Sequence, residues 1–122
     1  VQIDLMGQAA SETIGYTQIS GVGGQVDFVR GAAMAKNGRS ILAFPSTAAK
    51  GTVSKIVPLL DEGAAVTTSR NDVDYVITEY GIAKLSGKTL KQRAHALIEI
   101  AHPNFRDELK KVYEERFHCS YE

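Results

Sequence analysis

The chain has 122 residues, 43% hydrophobic and 23% charged, which is one domain's worth of ordinary globular composition and excludes a disordered segment. Fourteen basic side chains balance fourteen acidic ones, without the basic excess that nucleic-acid binding leaves. No apolar run approaches the roughly 18 residues of a membrane span, and no secretory pattern opens the sequence, so neither a membrane nor a nucleic-acid partner is expected.

In chain order, "VQIDLM" alternates apolar and polar residues and reads as a strand over 1–6 already in progress, as expected of a piece cut from a longer polypeptide. A polar turn follows around Gly7, Gln8 and Ser11, then an extended piece, "TIGYTQI", over 13–19. Residues 20–24, "SGVGG", form a glycine loop. From Val26, the residues Phe28, Val29, Ala32, Ala33 and Ala35 fit a short helix, with Asp27 near its start where a carboxylate suits the dipole. Asn37-Gly38 is a turn signal, and "RSILAF" is a strand closed by Pro45. "STAAKG" reads as a loop, "TVSKIVPLL" alternates again, and "DEGAAVTT" gives a turn and a brief strand.

"VDYVIT", residues 73–78, is β-branched and aromatic and predicts the best buried strand. "EYG" then turns the chain toward a helix over 88–101, where Leu90, Ala94, Leu97, Ile98 and Ala101 share a face. His102-Pro103 ends that helix, and Asn104 caps a last one from Phe105 to about Phe117. Phe105, Leu109, Val112 and Tyr113 line its inner side. Hairpin-short and helical connections together predict an α/β domain over 1–122, with a mixed sheet and flanking helices. Lone Cys119 fits a reducing cytoplasm, the expected location.

The glycine loop carries the chemistry. Gly21, Gly23 and Gly24 let backbone N–H groups converge, and the helix behind them adds its positive end. Such a loop can hold a phosphate or the oxyanion of an attacked carbonyl. Val26 stands where a dinucleotide fingerprint needs glycine, and no Walker lysine follows. A structural turn and a ligand loop both fit the residues themselves.

The words around the loop separate the two. "VQIDLMGQ", "ISGVGGQVDFVRGA", "SKIVPLL", "VTTSRNDVDYVITEYGIAKLSGKTLKQRA" and "IAHPNFRDEL" follow in that order. Together, over about Val1 to Leu109, they resemble the C-terminal part of the acetyl-CoA hydrolase/transferase family. The resemblance implies a CoA-transferase-like fold and movement of coenzyme A between carboxylic acids of the 4-hydroxybutyrate, acetate or butyrate kind. The alternatives are an acetyl-CoA hydrolase of the same family and a non-catalytic CoA- or nucleotide-binding module.

In that family a glutamate attacks the acyl-CoA thioester and becomes a glutamyl-CoA thioester. It lies upstream of the segment matching Val1 to Leu5, so this chain alone is expected to be inactive. The resemblance places Gly21, Gly23, Gly24 and Gln25 at the active site, with Gly24 offering its N–H to the thioester oxygen. Ser20 and Gly24 flank the pantetheine arm, Lys36 contacts CoA, and Glu79 supports the site without being the nucleophile. Local readings stand beside these roles: a solvated helix end for Lys36 and a turn-capping carboxylate for Glu79. Acyl-CoA and a short-chain acid are the implied substrates, with no tightly bound cofactor. The remainder of the parent enzyme and a second copy of the chain are the implied partners. Glu12 and Glu62 read as surface residues, and Arg70 and Asp72 as an ion pair. His95, His102 and His118 lack the spacing of metal ligands, so no metal is expected.

Overall fold

The computed structural model describes residues 1–122. In chain order it contains β1 (Gln2–Asp4), β2 (Ala9–Ala10), β3 (Thr13–Ile14), β4 (Thr17–Gln18), α1 (Gln25–Met34), β5 (Ile41–Ala43) and β6 (Thr47–Ala48). There follow β7 (Val53–Ser54), β8 (Ile56–Val57), β9 (Tyr75–Thr78), β10 (Gly81–Lys84), α2 (Leu90–Glu99) and α3 (Pro103–Phe117). The mixed pairing expected from the connections is present, but it is divided between two three-stranded sheets, β2-β1-β8 and β10-β9-β5. Each has one antiparallel and one parallel pair.

Alternation at the start of the chain buries Ile3 and Leu5, but Asp4 between them is buried too. Its carboxylate accepts from the N–H groups of Met6 and Gln8 at 3.0 Å and from Gln8 Nε2 at 2.6 Å. A polar side chain can be buried at a strand end when turn amides satisfy it.

Four expectations need correction. Residues 13–19 are a hairpin of β3 and β4 rather than one extended piece, and the 46–51 loop contains β6, which pairs with β7. "EYG" does not lead straight into a helix: β10 first folds back on β9, with Ile82 opposite Ile77 and Ala83 opposite Val76. Finally, His102 rather than Asn104 caps α3, its Nδ1 accepting from the Asn104 N–H at 3.1 Å. Pro103 thus opens that helix at the position where a missing N–H costs nothing.

Residues from both sheets meet in one core: Ile3, Leu5 and Ile56 from the first, Val76, Ala83 and Leu85 at the second. Ala94, Leu97 and Ile98 of α2 cover the Val76–Ala83 face, and α3 packs behind through Leu109 and Tyr113. A capping box starts α2: Thr89 Oγ1 accepts from the Gln92 N–H at 3.2 Å, and Gln92 Oε1 accepts from the Thr89 N–H at 3.0 Å. The C-terminal tail folds back so that Tyr121 stacks on His95, ring centroids 4.5 Å apart. Burial, with its hydrogen bond to Glu99, raises the Tyr121 phenol well above its ordinary range.

Candidate active-site loop

The loop is held at its entry by a residue that reads as a surface carboxylate. Glu12 is only 7% exposed; its carboxylate accepts from Thr67 Oγ1 at 2.8 Å and Gln18 Nε2 at 2.6 Å. Its backbone carbonyl accepts from Ile19 and Ser20 N–H. The β3–β4 hairpin is therefore fastened to the 67–68 segment, which bridges to Ala9, and the chain leaves this anchor at Ser20. Gln18 also donates to the Ser20 carbonyl, and the Ser20 hydroxyl turns onto the Gly21 carbonyl at 3.0 Å.

Beyond Ser20 the backbone is bare. Gly21, Gly23 and Gly24 are exposed, and Gly23 has φ +64°, a conformation that costs an L side chain roughly 1–2 kcal/mol. Gly24 is the N-cap of α1 and has no side chain to cap it. The first amide of this segment to find an acceptor is that of Phe28, which donates to the Gly24 carbonyl at 3.0 Å. From Gly21 to Asp27 no N–H group has a partner in the chain. A ten-residue helix adds its positive end behind them, with Asp27 in its first turn. Donors facing water at a helix start are what an anion or a developing oxyanion needs.

At its other end α1 turns sharply. Asn37 takes φ +63°, and a Cβ on Gly38 would lie 2.1 Å from the Ala32 carbonyl oxygen, so only glycine fits. The chain returns along the helix as β5, and Gln25, Phe28, Val29 and Ala32 form a groove with Arg39 to Leu42. Gly38 lies against Ala32 of α1, and β5 runs on from there to its carboxyl end at Ala43. Because β5 and β9 are parallel, Glu79 lies at that same end. Ligands of α/β folds collect there.

Glu79 Oε1 accepts from the Ser46 N–H at 2.7 Å, which ties the loop after β5 to the end of β9. That amide, with the nearby His102, holds the Glu79 carboxyl below the usual range. A depressed folded value contributes stability above the unfolded value near 4.5, and that contribution disappears as pH falls through the folded value. Glu79→Gln is therefore expected to lower the urea midpoint at pH 7, with the gap to wild type closing below about pH 4. An equal gap at pH 7 and pH 3 would remove the carboxylate from this role.

The remaining candidates are scattered. Lys36 is exposed in the turn after α1, a ten-residue helix of about 15 Å away from Gly24. Asp72 pairs with Arg30 at 3.2 Å and not with Arg70, because α1 brings Arg30 across while Arg70 offers its carbonyl to Arg93. Glu62 is exposed as read. His95 stacks on Tyr121, His102 caps α3, and His118 sits in a left-handed turn after α3. Sequence reasoning missed Ser40, which is buried beside Gln25; Ser40 Oγ and Gln25 Nε2 both lack partners. Only the position of Ser40 just ahead of a strand hinted at it.

Residues 1–113 match the Acetyl-CoA hydrolase/transferase C-terminal domain. The chain belongs to this family. Within it, the chain is 68% identical to the 4-hydroxybutyrate coenzyme A transferase of Clostridium kluyveri, covering 96% of this chain and 27% of that protein. Among solved structures, RipA from Yersinia pestis superposes with a TM-score of 0.86 at 52% identity, over 96% of this chain and 26% of that one. A 4-hydroxybutyrate CoA-transferase from Porphyromonas gingivalis superposes at 0.76 with 53% identity, over 95% and 25%. The chain thus spans about a quarter of the length of the relatives it matches.

Proposed function

We propose that this domain supplies the oxyanion donors and part of the coenzyme A seat of an acyl-CoA:carboxylate CoA-transferase of the 4-hydroxybutyrate, acetate or butyrate kind. The observation that carries it is the run of unpartnered N–H groups from Gly21 to Asp27 at the head of α1. The relatives named as CoA-transferases support the choice of ligand.

A glutamate on the remainder of the transferase attacks the thioester carbonyl, whose oxygen gathers charge as the centre becomes tetrahedral. Gly24 N–H meets that oxygen. Collapse of that centre breaks the acyl C–S bond, releasing the CoA thiolate and leaving an acyl-glutamyl anhydride; the thiolate then attacks the glutamyl carbonyl, forming the glutamyl-CoA thioester as the acyl group departs as its carboxylate. An incoming acid reverses the sequence and takes CoA away. Each half needs the same donor, because each passes through a tetrahedral oxyanion. Ser20, Gly21, Gly23 and Gln25 border the pantetheine arm, and Lys36 meets the phosphate end of an extended ligand running along α1. Glu79 acts as a positioning residue by fixing the 44–46 loop. Coenzyme A is a substrate here and not a resident cofactor, and the cytoplasm is the proposed location. The 122 residues form one domain of the parent enzyme.

The test uses the Clostridium kluyveri enzyme with this chain in place of its matching quarter. It should exchange CoA between butyryl-CoA and acetate, and butyryl-CoA loss should stop when acetate is withheld. Undiminished loss without acetate would make it a hydrolase, and no loss in either condition would overturn the reading. The 122-residue chain alone should give no sustained exchange.

A further inference from the structure

The β10-β9-β5 sheet is covered on one face only. Leu42, Val76 and Ala83 share the face that packs into the core beneath α2. On the opposite face the register sets Ala43, Ile77 and Ile82 in one row across three strands, with Ile41 two residues before Ala43. Ile82 is 66% exposed and Ile41 is 50% exposed. The β5–β9 pair is parallel, a pairing usually found in sheets covered on both faces.

Through Ile41 this bare face continues into the groove between α1 and β5, a cavity of about 330 Å³. Phe28, 81% exposed, forms part of its wall. Ser40, only 3% exposed, lines it too, and Ser40 Oγ and Gln25 Nε2 are buried there without partners. Buried donors are costly to leave unpaired. An apolar row ending in two unmatched donors calls for a folded polypeptide that brings apolar side chains and carbonyl oxygens.

We propose that this face and groove seat the polypeptide that makes up the remaining three quarters or so of the relatives, a proposal that rests on the CoA-transferase reading. Two observations choose this occupant over a second copy. The relatives carry that much chain outside the matched domain. The face also ends at the carboxyl ends of β5 and β9, beside Glu79, the side from which the CoA-transferase reading brings the nucleophile of the remaining chain.

The experiment is limited trypsin digestion of the same full-length chimera. Ile82→Asp and Phe28→Asp are each expected to speed cleavage at the junction at least tenfold, while Leu59→Asp, at an exposed site elsewhere, leaves it unchanged. In the 122-residue chain alone, Ile82→Asp should leave the thermal midpoint in place, because that side chain already faces water. Equal cleavage of the parent chimera and both face variants would overturn the proposal. So would an isolated chain that is a dimer split by Ile82→Asp while cleavage of the chimera stays unchanged, which would give the face to a second copy. Gly24→Pro separates the two ideas: a chimera that loses transfer but keeps its resistance to trypsin has lost the oxyanion donor and kept the dock.

Discussion

Gly24→Pro in the full-length chimera is expected to lower CoA transfer by about 100- to 1,000-fold, the usual effect of deleting one oxyanion donor. Proline removes the N–H, and its Cβ meets the same Phe28 ring that an alanine Cβ would. Gly24 is the N-cap, so its amide makes no helical hydrogen bond, and its φ of −96° lies within moderate reach of the proline ring. Gly24→Ala supplies the contrast, since alanine keeps the donor. Its Cβ would sit 3.2 and 3.3 Å from atoms of the Phe28 ring, which has only to shift by a few tenths of an ångström on a side chain open to water. Transfer in the alanine variant should stay within about tenfold of wild type. Steady-state kcat and KM for butyryl-CoA, measured on both, decide the matter. A proline variant with wild-type kcat, or an alanine variant as poor as proline, would take the oxyanion away from this amide.

Leu97→Ala is expected to be the most damaging single truncation for stability. Leu97 is fully buried on α2, in the cluster shared with the β10-β9-β5 sheet and α3. Leucine-to-alanine changes at such positions cost about 2–5 kcal/mol. A domain of this size has about 5–15 kcal/mol in all, so the loss is a large share of the total. Leu59→Ala, 69% exposed, should fall within about 0.5 kcal/mol of wild type. Urea unfolding of the two variants gives both numbers. A Leu97→Ala loss no larger than that of Leu59→Ala would mean that α2 does not close this core.

Much of the local structure was legible because it is written in short-range chemistry. Asn37-Gly38 makes a turn, and the spacing of Ala94, Leu97 and Ile98 makes a buried helical face. The bare loop before α1 was legible for the same reason, as glycine without side chains leaves donors free wherever the fold puts it. The β10 strand was not: "GIAK" has one small buried residue, Ala83, and two exposed ones, so its pattern is weak without knowledge of β9 beside it. Glu12 was misread because a carboxylate shows nothing of Thr67 and Gln18 in its own neighbourhood along the chain; Thr67 lies 55 residues away.

By itself, then, the sequence determined the three helices, the glycine loop and the family, since each rests on residues adjacent or nearly adjacent along the chain. Only the tertiary structure decided that the mixed pairing splits into two three-stranded sheets, that Glu79 grips the Ser46 amide, that Asp72 belongs to Arg30, and that Ile41, Ile77 and Ile82 share a face open to water. These depend on which strand lies beside which, and strand pairing is settled by competition for a common core among segments tens of residues apart.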